Sequence, residues 1–235
     1  LDTCPERGPL GARLRKEVTD RLCGREEGGR ERPHQALKAL PFRRSGEVIV
    51  APLGSGDDLV DGLEPVDEAV VSYDELDARA NRRARLIAAQ GVGHGDFVTV
   101  ALPNGLEFYE TVFALWKLGA VPNVVSAKLA RPEMEAILDI VRPRLFIGAP
   151  AMPAPGVPVL PANPPGLDHH ATDPLPEIVS PHWKAMTSGG STGRPKVIVD
   201  AMPAQWNPQE GFLHQQPGDV ILNPGPLYHN APFHC

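Results

Sequence analysis

The alternation of apolar runs and helical faces between residues 72 and 148 constrains the fold more than any other feature of this chain. Ser72 and Glu75 have the spacing of a capping box, and Leu76, Ala80, Ala84 and Ile87 then recur on one helical face before Gly91. Arg79, Arg82, Arg83 and Arg85 are expected on its solvated side. Residues 97–102 (FVTVAL) read as a buried strand ended by Pro103. Asn104 stands where it can cap a second helix, whose Phe108, Val112, Phe113, Leu115 and Trp116 make a broad apolar face before Gly119. Residues 120–125 read as the next strand. Pro132 fits the first turn of a third helix running through Met134, Ile137, Leu138 and Val141, and residues 144–148 close the series as a strand. Strand, helix, strand, helix, strand predicts an α/β fold with a parallel sheet covered by helices and right-handed crossovers.

The stretch that carries chemistry lies further on. Residues 187–196 read TSGGSTGRPK and gather four hydroxyls, three glycines and a lysine. Glycines let successive backbone N–H groups converge on an anion, hydroxyls add donors, and the lysine adds a compact charge. That set suits a polyphosphate. A plain Gly/Ser linker would need neither the Pro195-Lys196 pair nor the apolar flanks at 183–186 and 197–199, which predict a loop between two strands. A Walker A loop needs its lysine directly after the last glycine and a helix behind it. Here Arg194 and Pro195 intervene, and Val197-Ile198-Val199 favours a strand.

The ten residues closely resemble the phosphate-binding loop of the adenylate-forming enzymes, which include acyl-CoA synthetases, nonribosomal-peptide adenylation domains and luciferases. Val197 departs from the glycine most members place there. Residues 71–129 resemble the family's N-terminal subdomain along their whole length. The wording Trp116-Lys117-Leu118-Gly119-Ala120 is nearer to acyl-CoA synthetases than to adenylation domains. The resemblance implies the first part of the family's large domain, and it assigns Thr187, Ser188, Gly189, Gly190, Ser191, Thr192, Gly193 and Lys196 to ATP phosphates. Lys196 would steady the departing pyrophosphate. A second motif, Pro226-Leu227-Tyr228-His229-Asn230-Ala231-Pro232-Phe233, is similar to the family's Pro-Leu-(Phe/Tyr)-His segment. It implies that His229 lies beside the acyl carboxylate and the α-phosphate, with Asn230 facing the acyl substrate. A lone histidine without that context is ordinarily a surface or core residue; His214 and His234 stay unassigned.

The reaction so implied has two steps: a carboxylic acid attacks the α-phosphate of Mg-ATP to give acyl-adenylate and pyrophosphate, and coenzyme A then displaces AMP. The wording of the second motif leans towards bulky apolar acyl groups, within fatty acid metabolism or its relatives. No Tyr-Gly-x-Thr-Glu segment, whose glutamate holds Mg2+ in the family, occurs in the sequence, nor does the Thr-Gly-Asp ribose motif or the late catalytic lysine. The chain starts at Leu1 and stops at Cys235, and it is expected to be a fragment that does not complete the reaction by itself. Two alternatives stay open: an amino-acid adenylation domain, and a catalytically dead remnant that at most binds phosphate.

Composition bounds the remainder. A net charge of −6 argues against a general nucleic-acid binder. Three scattered cysteines suit a reducing, cytoplasmic setting, and neither a signal peptide nor an apolar run of the ~20 residues a membrane helix needs is visible. His169-His170 has no companion ligand cluster, so no metal site is assigned. Four segments are expected. Residues 1–70 are a charged stretch, with eleven basic and seven acidic residues in the first 46, a possible short helix at 10–22 and short strands at 47–50 and 69–71. Residues 71–149 form the βαβ-type subdomain. Residues 150–182, with ten of the chain's 27 prolines, read as a connector outside the core. Residues 183–235 carry the phosphate loop, a turn and strand at 217–222, and the start of the acyl region.

Overall fold

A computed structural model describes residues 47–50, 69–149, 156–188, 195–205, 223 and 225–234. All of them belong to one compact unit, Leu37–Glu210 with Asn223–Cys235. The helix expected at 10–22 and the strand expected at 217–222 lie outside the described residues.

Strand β1 (Glu47–Val50) pairs antiparallel with β2 (Ala69–Ser72) as a separate two-stranded sheet. Helix α1 (Tyr73–Ala89) follows at once. Its start is set by Ser72, whose Oγ accepts the Glu75 N–H at 3.1 Å; the Glu75 carboxylate pairs with Arg79 one turn on. The other elements are β3 (Phe97–Ala101), α2 (Leu106–Lys117), β4 (Val121–Val124), α3 (Arg131–Val141), β5 (Leu145–Gly148), β6 (Val159–Leu160), β7 (Ala185–Ser188), β8 (Lys196–Val199) and the single turn α4 (Asn230–Phe233).

Six strands form one sheet in the order β6-β5-β3-β4-β7-β8. All neighbours are parallel except the last pair, where β7 and β8 form an antiparallel hairpin. The predicted parallel sheet therefore ends in an antiparallel edge. The reason is local: the seven residues between Ser188 and Lys196 are too few for the helical crossover a parallel return requires.

Strand side chains alternate across the sheet and sort into two cores. Val98, Val100, Leu145 and Ile147 pack with Ala84, Ile87, Phe108, Val112 and Leu115 of α1 and α2. Ala101 and Phe146 face the other way, onto Met134, Ile137 and Leu138 of α3. Burial of one such large apolar side chain stabilises by roughly 1.5–3 kcal/mol, so helices on both faces hold the sheet. Gly119 closes α2 at φ +69°, and a Cβ there would lie 2.5 Å from Ile178 Cγ2, so both conformation and space select glycine.

Three expectations are corrected. Arg83 is not solvated: it is 1% exposed and its guanidinium meets Glu110 of α2 at 2.6 Å. Its neighbours Arg82 and Arg85 are half-buried and partnered. Arg82 pairs with Asp168 at 2.9 Å, and Arg85 donates to the carbonyls of Ala171 (3.0 Å) and Asp173 (2.8 Å). The cause is the proline-rich stretch, which runs over α1 as a strap. A segment dense in proline has few N–H groups for a ladder and leaves its carbonyls needing donors, and the arginines of α1 supply them. That stretch is also not wholly outside the core, since β6 extends the sheet beside β5 and Leu160 is buried. Asn104, finally, does not cap α2. Gly105 takes the cap position without a side-chain bond, and Asn104 is used elsewhere.

Candidate active site

The candidate residues lie on the β7–β8 hairpin and on residues 225–234, a segment contacted both by Asn104 after β3 and by Lys184 before β7. In the hairpin Ala185, Met186, Thr187 and Ser188 stand opposite Val199, Ile198, Val197 and Lys196. Thr187 and Ser188 are half-buried at the end of β7, and Lys196 opens β8 exposed to solvent, directly across from Ser188. The expected loop between two strands is thus a hairpin, with Lys196 as the first ladder residue on the return. No helix follows the lysine, which is what separates this loop from Walker A geometry. Gly189, Gly190, Ser191, Thr192 and Gly193 lie outside the described residues.

The second motif forms a turn and the short helix α4. His229 occupies the position before α4: its N–H donates to Pro226 O at 3.0 Å and its carbonyl accepts from Phe233 N at 3.1 Å. Its ring lies 4.6 Å from that of Tyr228 and is exposed. A four-residue helix has no stability of its own, so its placement comes from what grips it. Asn104, at the end of β3, donates from Nδ2 to Gly225 O (2.9 Å) and accepts from Leu227 N (2.9 Å), fastening the turn to the sheet. Asn223 donates to Pro232 O and accepts from Gly225 N at 3.3 Å. Phe233 packs edge-on to Phe108 and Trp116, 6.1 Å from each, and tilted at 5.7 Å against Trp183. The Trp116 indole N–H in turn donates to Trp183 O at 2.6 Å.

The residue that joins the two halves is Lys184. Its backbone carbonyl accepts the Asp200 N–H at 3.1 Å, adding one bond below the hairpin ladder, and the side chain is 3% exposed. The ammonium donates to Asn230 Oδ1 and to His234 Nε2, lies 3.9 Å from the Asp200 carboxylate, and sits 4.0 Å from the centroid of the Trp183 ring. Burial pushes its pKa from the ordinary 10.5 down to about 8, against the opposing pull of Asp200. Burial and the Lys184 charge lower the pKa of His234, which keeps its Nε2 available as an acceptor. Burial would raise the Asp200 pKa, but the Met202 N–H at 3.0 Å and the Lys184 charge outweigh it and hold the carboxylate ionised.

Of the residues predicted to act, then, the structure describes Thr187, Ser188 and Lys196 on the hairpin, and His229 and Asn230 at the start of α4. Sequence reasoning missed Lys184, Asp200 and Asn104. Lys184 carried a signal, being a charged residue in an otherwise apolar lead-in to a strand; the role of Asn104 needed the fold. No three His, Cys, Asp or Glu side chains converge into a metal-holding group among the described residues, and none is assigned to Mg2+. No helix among them is long and apolar enough to cross a membrane.

Similarity to known proteins bears on the family and the fold. The family model described as AMP-binding enzyme matches residues 59–235. A long-chain-fatty-acid–CoA ligase, FadD13 of Mycobacterium tuberculosis, is 29% identical over 189 residues, covering 72% of this chain and 38% of the ligase. An olefin β-lactone synthetase of Stenotrophomonas maltophilia is 36% identical over 124 residues, covering 53% of this chain and 20% of that enzyme. Among solved structures, the inhibitor-bound N-terminal domain of FACL13 from M. tuberculosis superposes with a TM-score of 0.60 at 27% identity, over 71% of this chain and 47% of that one. The chain thus spans well under half the length of these curated relatives, and the sheet flanked by helices is that of the N-terminal domain of adenylate-forming enzymes.

Proposed function

We propose, because this chain belongs to the AMP-binding enzyme family, that it forms the ATP- and acid-binding part of an acid–CoA ligase. The observation that carries the reading is the hairpin, in which Thr187 and Ser188 end β7 and Lys196 returns opposite Ser188.

In this reading the hydroxyls of Thr187, Ser188, Ser191 and Thr192, and the amides of Gly189, Gly190 and Gly193, receive the β- and γ-phosphates. Lys196 neutralises the pyrophosphate as it departs. His229 stands beside the α-phosphate and the acid's carboxylate, and Asn230 borders the acyl group. Mg2+ would enter with ATP and offset phosphate charge, and no described residue is given the task of holding it. Catalysis of such a transfer is mainly positioning and charge stabilisation, for which a rigid sheet edge is a suitable platform. Coenzyme A is the acceptor that the similarity to FadD13 favours, with a long-chain or otherwise bulky apolar acid as substrate. The similarity to an olefin β-lactone synthetase favours a second reading, in which adenylation is kept and the acceptor differs.

Acid-dependent exchange of labelled pyrophosphate into ATP, with palmitate, benzoate and cholate as probes, tests adenylation. Thioester formation with added coenzyme A tests the acceptor. Exchange with thioester supports the ligase, and exchange without thioester supports the second reading. If the chain takes up ATP but shows neither reaction, it is a nucleotide-binding part only. Lys196→Ala is expected to slow any exchange by roughly ten- to a thousand-fold, as for loss of one charge-stabilising donor.

A further inference from the structure

Lys184 is out of place as a purely structural residue. Lysine is almost never fully buried unless paired, and a leucine or methionine would fill an apolar lead-in to β7 without desolvating a charge. Its position has three particular properties. The backbone at Lys184 is the base of the hairpin stem, fixed by the Asp200 N–H. Its ammonium reaches across to α4, where it meets Asn230 and His234. And α4 is a single turn, whose orientation depends on such grips.

We propose that Lys184 is a positioning residue: its ammonium ties the stem of the β7–β8 hairpin to α4 through Asn230 and His234, and so sets where His229 stands relative to Ser188 and Lys196. The inference rests on the reading of that hairpin and of His229 given above, and it names a residue outside both motifs. The ammonium has three N–H groups, two of them used on α4, while Asp200 and the Trp183 ring compensate the charge from the hairpin side. The hairpin stem and α4 are thereby held by one side chain. The aromatic contacts of Phe233 set α4 against α2 and Trp183, Asn223 holds the Pro232 carbonyl, and the bonds to Asn230 and His234 add the tie to the hairpin stem.

The tie also depends on protonation. A charged ammonium makes bonds about twice as strong as a neutral amine. The groups facing it are Asp200 and His234, with the Asn230 amide and the Trp183 ring; His182, whose Nδ1 meets Asp200 O at 2.7 Å, is the next titratable group. Above neutrality the carboxylate stays ionised and His234 stays neutral, so Lys184 itself is the group that changes.

The test uses the whole chain as wild type, Lys184→Met and Lys184→Arg. Histidine-ring NMR signals of His229 and His234, identified by His229→Asn and His234→Asn, report the turn without any ligand. The wild type is expected to show both signals moving together in one step near pH 8. In Lys184→Arg, whose guanidinium does not titrate there, the step vanishes while the low-pH positions are kept. In Lys184→Met the His229 signal is averaged or broadened at every pH. Binding is then measured with a non-hydrolysable ATP analogue and with palmitoyl-sulfamoyl-adenosine. Lys184→Met should hold the ATP analogue within about twofold of wild type and the acyl-adenylate mimic about tenfold more weakly, with most of that loss recovered in Lys184→Arg. A merely structural lysine would alter the melting temperature and leave these ratios alone. Flat His229 and His234 signals from pH 7 to 9.5 in the wild type, or equal mimic affinity in folded Lys184→Met, would overturn the proposal. If the wild type bound neither nucleotide, the hairpin reading would fall, while the ring signals would still decide whether Lys184 orders α4.

Discussion

The pair between Arg83 and Glu110 allows the packing account to be tested at a single point. Arg83 is 1% exposed and the Glu110 side chain 7%. Both Nη2 (2.6 Å) and Nε (3.2 Å) donate to Glu110 Oε2, and Nη1 donates to Ala162 O at 2.6 Å, so one guanidinium joins α1, α2 and the proline-rich strap. Removing one member of a buried pair leaves the other charge uncompensated, at about 3–5 kcal/mol. The two single deletions should differ. Glu110→Ala strands Arg83 beside Arg79, which lies 3.5 Å from Glu110 Oε1, and brings two like charges together; it belongs at the upper end of that range. Arg83→Met leaves Glu110 with Arg79 as a partner and belongs at the lower end. Arg83→Met combined with Glu110→Leu should recover most of the loss, because well-packed apolar replacements of a buried pair are often neutral. Urea unfolding followed by far-UV circular dichroism gives the four free energies. A loss of ~4 kcal/mol corresponds to a fall in melting temperature of about 8–16 °C for a chain of this size. Amide exchange across the strap should quicken in Arg83→Met. A Glu110→Ala variant within 1 kcal/mol of wild type, or a double variant as unstable as the sum of the singles, would refute the reasoning.

Three further outcomes follow from particular contacts. The folded chain releases the Lys184 proton near pH 8 and the unfolded chain near 10.5, so between these values the unfolded state binds more protons and stability from this group rises with pH, by about 3 kcal/mol in all; urea titrations at pH 7.5 and 10.5 measure it, and Lys184→Met should lack the rise. Asn104→Ala removes two bonds to the turn at 225–227 and should free that turn to limited proteolysis while lowering stability by ~1–3 kcal/mol. Gly119→Ala meets both the positive φ and Ile178, and thermal melts should show a loss of at least ~1 kcal/mol, where a merely permissive glycine would show a gain.

The order of elements from 72 to 148 was legible because each helix buries one face and each strand is mostly apolar and buried; period and length therefore encode it. The loop between two strands was legible from apolar flanks on both sides of a glycine-rich stretch, with β-branched residues on the far side. What could not be read is what covers the outer side of α1. A run of arginines has the same pattern whether it meets water or the carbonyls of a strap nearly 80 residues on, and only the fold brings Ala162 to Arg83. Asn104 shows the same limit. Its local context fits a helix cap, but the side chain is spent on Gly225 and Leu227, more than 120 residues away. Within the candidate site, the residues proposed to touch substrate lie in two motifs, whereas the lysine proposed to hold them in register lies just before one of them.

The central claim is that the β7–β8 hairpin cradles a nucleotide's phosphates, and titration calorimetry of the whole chain with a non-hydrolysable ATP analogue and Mg2+ tests it most directly. The account predicts saturable binding at one site, displaced by pyrophosphate and weakened about tenfold by Lys196→Ala, while Arg131→Ala on the exposed face of α3 leaves it unchanged. Binding that survives Lys196→Ala undiminished, or that pyrophosphate does not displace, would contradict it.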